Sequence, residues 1–565
     1  MKKVQGFPIP LGVTIEKEFV NFSVEVPSGK TCELLLYKAG TKEPVEKFVL
    51  AQEDGIGEIR FMGLNGERIE DYEYNYYIDG KVVVDPYVKA LAGTQHWKQP
   101  RDISMHEVRG RFVSAFYDWQ GDKPLHLPYD EIVAYSLHVR GFTKHSSSKV
   151  KQKGTFGGIV EKLSYLKELG INQIQCMPPY DFNEVGKNAV NYWGYGPAFY
   201  FAPKAAYSAS EDTARECKDM IRLLHAEGIE VIFHFPFTAQ TPPQMIERCL
   251  EYYVMEYHVD GFILNPMNAP MDALKRNPLL KSTKLIRMED GFQNVMRRFL
   301  KGDEGMIHDV MWALRHNTSE DQLPNYITSH TGFTLKDLVS YDAKHNEENG
   351  EKNQDGPDYN YSWNCGAEGP SRKKSIVTLR KNQVRNAFFL LLMAQGTPCL
   401  LAGDEFGNTQ KGNNNVYCQD NETSWLDWRK LEREKDLFEY VKGLIAIRRK
   451  HPVLHCAERL LGMDQIACGM PDVSYHGESA WQVPSEVSSR QLGIMYCGTG
   501  VGDNDCFAIY NMHWVKHTFA LPTLKKKKWY LVVSTEEGVL EIPKKVENQK
   551  SLEMKERTVA LLIGR

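Results

Sequence analysis

Between Glu131 and Gly403 of the 565-residue chain, short apolar runs of strand length alternate with stretches of helical spacing. The runs read EIVAYSLHV, INQIQCMPP, IEVIFHF, VDGFILN, TKLIRM, YITSH and TPCLLAG, with a weakly marked sixth position near Ile307. GGIVEKLSYLKELG, ARECKDMIRLLHAEG and MIERCLEYYVMEYH lie between them, and they are apolar at helical intervals. Such alternation predicts a parallel sheet. Eight units predict an α/β fold built on a closed (β/α)8 TIM barrel, with functional side chains at the C-terminal ends of its strands.

The flanks follow a different rhythm. VNFSVEV, CELLLYKAG, GIGEIRFMGL and YEYNYYIDGKVVVD alternate with period two between turns, which predicts an N-terminal β-sandwich over residues 1–110. A polar connector runs from about Gln95 to Asp130. After LIAIRRKHPVL the period-two pattern returns in QLGIMYCG, DCFAIYNMHW, HTFALP and WYLVVST, which predicts a C-terminal β-sandwich over 456–565. The barrel then occupies 111–455.

A net charge of -4 and a pI near 6.5 give no electrostatic case for nucleic acid or an anionic membrane. The two lysines at the start have no apolar run behind them, so neither a signal peptide nor a membrane span is expected. The 11 cysteines are scattered and form no CxxC pair. That fits reduced thiols in the cytoplasm rather than a disulfide framework or a structural zinc. No metal or other cofactor is expected.

Several longer segments carry a resemblance. NYWGYGPAFYFAPKAAYS, LHAEGIEVIF, YHVDGF, HTGFTLKDLVSYDAKHNEENGE, SWNCGAEG and LLLMAQGTPCLLAGDEFGNTQKGNNNVYCQDNETSWLDW resemble the glycogen-debranching, isoamylase-type branch of the α-amylase superfamily, glycoside hydrolase family 13. PIPLGVT…VNFSV and VVVDPYVKALAG are similar to the starch-binding-like sandwich that precedes the barrel there. The resemblance spans nearly the whole chain.

Retaining hydrolysis of a glucosidic bond needs two carboxyl groups, a nucleophile and an acid/base, and the resemblance implies a third that grips the distorted sugar. In that family the nucleophile ends the fourth strand in a pattern like DGFRFD. Here the stretch is DGFILN, with Ile263 in the arginine's place and Asn265 in the nucleophile's. An amide is a poor nucleophile, and Pro266 lacks the N–H through which Asn265 could deamidate. The acid ends the fifth strand in a pattern like LIAEPW, and LIRMEDGF puts Met288 there. Glu289 follows as a candidate rescue acid, although strand alternation points it away from Met288, and an ordinary solvated acid is the other reading. The third carboxylate follows a histidine in CHDGFTL. SHTGFTL keeps His330 and replaces the aspartate with Thr331. The third strand ends in HFPFTAQ instead of DVVYNHT, with His234 for the aspartate and Ala239 for the histidine, and the loops after strands three and four look short.

Other residues match the family. Trp193 and Tyr195 of WGY match its sugar-stacking motif, and packing at the barrel rim is their alternative role. His330 stands where the family binds sugar hydroxyls, or it is structural. Asp260, and Asn265 in its new form, are further candidates for sugar contact. Asp404 and Glu405 in AGDEFG belong to the framework after strand eight. Glu351 to Gly356 faintly resembles a calcium loop, but Ser362 stands where an EF-hand needs glutamate.

Three functions follow. The first is a non-catalytic homologue that binds α-glucan (glycogen, starch or maltooligosaccharide), or that partners an active debranching enzyme or a second copy of itself. The second is an active glycosidase or transglycosidase using Glu289 with Asp290 or Asp260. The third is a structural or regulatory protein without sugar binding, its cleft filled by Met288 and Ile263.

Overall fold

The fold is built around one parallel sheet. A computed structural model describes residues 1–66, 68–99, 101–113, 116–186, 189–316 and 323–565. Seven strands form the sheet. In chain order they are β1 (Ala134–Leu137), β2 (Gln173–Cys176), β3 (Glu230–Phe235), β4 (Gly261–Leu264), β5 (Lys284–Ile286), β6 (Pro324–Asn325) and β7 (Thr397–Leu401). Their spatial order is β5-β4-β3-β2-β1-β7-β6, all parallel, which makes a nearly closed barrel.

Two expectations are corrected. The sixth position near Ile307 is a helix, Ile307–Arg315, not a strand. Its buried residues Ile307, Val310, Ala313 and Leu314 recur at three and four, a helical and not a pleated period. YITSH is not a strand either. The paired residues are Pro324 and Asn325 just before it, and Tyr326 to His330 run on without a ladder. Among the described residues no strand lies between β5 and β6. Side chains bridge that seam: Arg297 Nε donates to the Ile327 carbonyl (2.7 Å), and the Tyr326 hydroxyl donates to Asp290 (2.9 Å).

The N-terminal residues form two antiparallel sheets that share one core. Val20, Phe22 and Val24 alternate inward from one sheet, and Leu34, Leu36, Tyr74 and Tyr76 from the other. Toward the C-terminus lies a six-stranded antiparallel sheet whose central strands, Gln491–Tyr496, Asp505–Asn511 and Thr558–Gly564, are buried on both faces. Met495, Phe507, Ile509 and Leu562 pack against the pair His517–Ala520 and Ser551–Met554, while Ile494, Tyr510, Leu561 and Ile563 join the core of the barrel.

The later part of the connector, from Trp119 to Leu125, straps the N-terminal end of the barrel, and residues 100 and 114–115 of the connector lie outside the described residues. Trp119 stacks on His258 with ring centres 3.8 Å apart, and Asp122 pairs with both His225 and His258 at 3.1 Å. Among the described residues no helix is long and apolar enough to cross a membrane.

Candidate functional site

Side chains alternate along each barrel strand, so one set of alternate residues fills the interior. At the bottom of the barrel that set is polar. Lys284 Nζ lies 2.5 Å from Glu230, Gln173 donates to Glu230 (2.8 Å), and Gln175 donates to Gln173 (3.0 Å). Above it is a hydrocarbon layer of Ile232, Ile263 and Ile286, with the half-buried Met288 packed against it. Ile263 pairs with Ile286 in register, and Ile232, two residues before His234 and so on the same side of β3, packs against them.

Above the hydrocarbon lies an aromatic cluster at the C-terminal mouth. The Tyr195 hydroxyl shares a hydrogen bond with His330 Nε2 at 2.6 Å. His234 meets Tyr195 and His330 edge-on at 5.6 Å, and Trp193 meets His330 at 5.1 Å. Burial lowers His234 to a pKa of about 3, helped by the neighbouring His330, and burial alone lowers His330 to about 4. Both rings are therefore neutral at pH 7. Trp193 is buried, whereas Tyr195, His234 and His330 are half-buried, so the cluster presents an uncharged face to solvent. Beside it, a cavity of about 50 Å³ runs between Trp193, His330, Tyr192, His138 and Met177. That is room for a few waters and not for a sugar ring.

The three positions of interest, Asn265, Met288 and Thr331, bear no carboxylate. Asn265 is exposed, and its side chain folds onto its own turn, with Oδ1 accepting from the Met267 N–H at 3.0 Å. Met288 belongs to the hydrocarbon layer. Thr331 is exposed, with its hydroxyl 3.1 Å from that of Ser329. Glu289 points to solvent and lies 3.5 Å from Arg287. Asp290 is engaged by Tyr326 and Gln293 across the seam. Among the described residues, no carboxylate is hydrogen-bonded to Tyr195, His234, His330 or Asn265.

Asp260 requires a correction. It precedes β4 instead of following it, so it sits at the opposite end of the barrel from the mouth. Its buried carboxylate accepts from Leu125 N (2.7 Å), His225 Nε2 (2.8 Å) and Val231 N (2.8 Å). This group ties the connector to the barrel floor and is not available to a sugar at the mouth. Burial pulls the pKa of His225 down, but Asp260 and Asp122 together outweigh it and leave the pKa raised.

The framework acids after β7 are buried and bonded. Asp404 accepts from Thr328 and from the Leu335 N–H, and burial pushes its pKa up to about 7. Glu405 accepts from Tyr135, Tyr165 and the Gly403 N–H. The calcium-like loop is held by amides, with Asp355 accepting from Asn349 (2.7 Å) and Asn415 (2.9 Å). Only residues 236–242 separate β3 from the next helix, Pro243–Tyr257, so the wall on that side is low.

Sequence reasoning missed two members of the mouth. His138 ends β1 and stacks on Tyr192 at 3.9 Å, and His234 is a member of the aromatic cluster as well as a replaced residue. Their position at strand ends was the signal available for both.

No protein-family model matches the chain. It is 30% identical to isoamylase 1, chloroplastic, of Arabidopsis thaliana, over 78% of this chain and 75% of that one. It is 31% identical to a glycogen operon protein GlgX homolog of Haemophilus influenzae, over 79% of this chain and 84% of that one. The fold matches the pullulanase of Paenibacillus barengoltzii solved in complex with maltohexaose and α-cyclodextrin, with a TM-score of 0.74 and 19% identity, covering 99% of this chain and 96% of the other. With this extent of similarity, the chain belongs to the isoamylase-type glycogen-debranching branch of glycoside hydrolase family 13.

Proposed function

We propose that the chain is a non-catalytic member of its family. In this reading it holds an α-glucan at the barrel mouth, on the uncharged platform of Trp193, Tyr195, His234 and His330, without cleaving it. In the same reading, residues 1–110 and 456–565 are the sandwich domains flanking a barrel domain of 111–455. The carrying observation is that Asn265, Met288 and Thr331, the positions where the family resemblance expects carboxylates, bear none, whereas retaining chemistry wants two about 5–5.5 Å apart. Glu289 and Asp290 do not replace them, since one is solvated beside Arg287 and the other is engaged at the seam. Histidines with pKa values near 3 and 4 are unprotonated at neutral pH, so they cannot donate the proton a leaving glucosyl oxygen needs. The maltohexaose bound by the Paenibacillus pullulanase supports α-glucan as the ligand class. In the cytoplasm such a protein would serve glucan metabolism by delivering chains to an active debranching partner.

The hydrocarbon layer of Ile232, Ile263, Ile286 and Met288 favours a second reading, a structural or regulatory protein that binds no sugar. Titration with maltoheptaose by calorimetry, paired with reducing-end release from the same sample, separates the readings. Binding without release is expected, and Tyr195→Ala should weaken it. Neither binding nor release would favour the sugar-free role. Release that survives repurification and disappears in Glu289→Gln would overturn the proposal in favour of a relocated acid.

A further inference from the structure

Where the N-terminal sheets meet the barrel, two ammonium groups compete for one carboxylate. Lys218 takes it, lying 3.2 Å from Glu256. Lys89 lies in the field of Glu256 and Asp85, but it makes no hydrogen bond or ion pair among the described residues. Asp85 is already engaged, accepting from the Tyr74 hydroxyl (2.9 Å) and from the Tyr87 N–H (2.8 Å). Burial outweighs the attraction of both acids and leaves the Lys89 pKa lowered, with Lys218 adding repulsion. A cation withdrawn from water without a bonded counter-ion is unfavourable, and a ligand anion would relieve it.

Lys89 lines a cavity of about 180 Å³. A cavity of roughly 150 Å³ admits a benzene ring, so this one has room for a six-membered ring. Its walls come from three places. Thr14 and Arg111 belong to the N-terminal sheets, Tyr87 and Lys89 to the segment between the strands Lys81–Val83 and Ala90–Ala92, and Tyr252 and Glu256 to the helix Pro243–Tyr257. Phe201, itself buried, packs against two of these walls, its ring 5.3 Å from Tyr87 and 5.8 Å from Tyr252. Arg111 is held by one N–H donated to the Glu211 carbonyl (3.2 Å). Walls held in this way cost little further ordering when a ligand arrives.

The lining defines the ligand chemistry. Glu256 is its acid, and Lys218 neutralises it. Lys89 and Arg111 are its cations, and neither has an ion pair among the described residues. Two cations match a phosphate, with a charge of about −1.5 to −2, better than a single carboxylate. The Thr14 and Tyr87 hydroxyls make no hydrogen bond among the described residues, and each can donate and accept. The rings of Tyr87, Phe112 and Tyr252 offer apolar faces to C–H groups.

We propose that this cavity binds a phosphorylated monosaccharide, with the phosphate between Lys89 and Arg111 and the sugar ring among the tyrosines. None of its lining residues belongs to the aromatic platform at the barrel mouth, so the inference stands apart from the function proposed above. An occupant would tie the N-terminal sheets to the barrel helix.

The test is calorimetry and thermal unfolding of the full chain, with glucose 6-phosphate, glucose and inorganic phosphate as probes. Glucose 6-phosphate should bind at one site and raise the thermal midpoint, and glucose should do neither. Lys89→Met and Arg111→Gln should each weaken that binding about ten-fold or more, because each removes a hydrogen bond between charged groups. Lys89→Met should also leave the ligand-free midpoint unchanged or higher, since it removes an uncompensated cation. Tyr195→Ala should leave the binding intact. Absence of glucose 6-phosphate binding would overturn the proposal, as would binding that survives Lys89→Met or is lost in Tyr195→Ala. Inorganic phosphate held as tightly as glucose 6-phosphate would overturn the sugar assignment. A lower ligand-free midpoint in Lys89→Met would mean that the charge is already compensated, and would refute the argument for an anion.

Discussion

Replacing Ile263 with arginine tests how the barrel interior is built. Ile263 is 5% exposed and packs on Ile232, Ile286 and Met288. Burying an isoleucine fully contributes about 1.5–3 kcal/mol. The guanidinium of Ile263→Arg would enter that hydrocarbon with no free anion nearby, because Lys284 and Gln173 already hold Glu230. An unpaired buried charge costs about 3 kcal/mol or more, so the total loss should be about 4–6 kcal/mol. Ile263→Val, which removes one methyl, should cost only about 1 kcal/mol. Asn265 lies two residues along, on the same side of the strand. Asn265→Asp in the Ile263→Arg background should recover about 2 kcal/mol by giving the cation a partner. Urea midpoints for the single variants and the double variant, converted with a common slope, complete the cycle. An Ile263→Arg protein within 1 kcal/mol of wild type, or a coupling near zero, would refute the packing argument.

Three further outcomes follow from the geometry. The lowered pKa values of His234 and His330, near 3 and 4, mean that both histidines stabilise the fold in the neutral form. Their contribution is complete above the unfolded value near 6.5 and falls as pH drops toward 4. From pH 7 to 5 each should lose about 1–2 kcal/mol, and His234→Gln should flatten that slope in urea unfolding. His225, raised by Asp122 and Asp260, has the opposite sign, with stability lost as pH climbs through its folded pKa. Asp260→Ala orphans two backbone donors and His225, which should cost about 3 kcal/mol or more while leaving maltoheptaose affinity unchanged; a change in affinity would return Asp260 to the site. The Cys468 and Cys497 sulfurs are 3.8 Å apart, so exchange with oxidised glutathione should join them and release two reduced glutathiones. Closing that 29-residue span should add about 3–4 kcal/mol, and mass spectrometry that finds both thiols still alkylatable would refute the pairing.

Much of the barrel was legible because its strands are unbroken apolar runs, buried on both faces, that alternate with helices. IEVIFHF and VDGFILN became paired strands in register. The sixth position failed because Ile307, Val310 and Leu314 carry a helical period, and a short apolar run near a weak site was read as a strand. YITSH is short enough to pass as a strand, yet a backbone ladder depends on a neighbour that local sequence does not specify. In the site, Asn265 was readable as the residue that follows β4, because the strand alone locates it, whereas Thr331 follows no paired strand. Asp260 was misjudged by direction, since it lies before its strand. The contacts among Tyr195, His234 and His330 join segments far apart in sequence and depend on tertiary closure.

The seam between β5 and β6 has a dynamic consequence. A closed barrel has no strand edges, whereas among the described residues this one has two, held together by Arg297 and by the Tyr326–Asp290 bond instead of a continuous ladder. Separating those edges breaks a few side-chain contacts and leaves the ladders β1 to β5 intact. Widening of that gap is the expected softest motion of the barrel. In hydrogen exchange the amides of Lys284–Ile286 and Tyr326–Ile327 should open as one unit, well before those of Glu230–Phe235, which are paired on both sides.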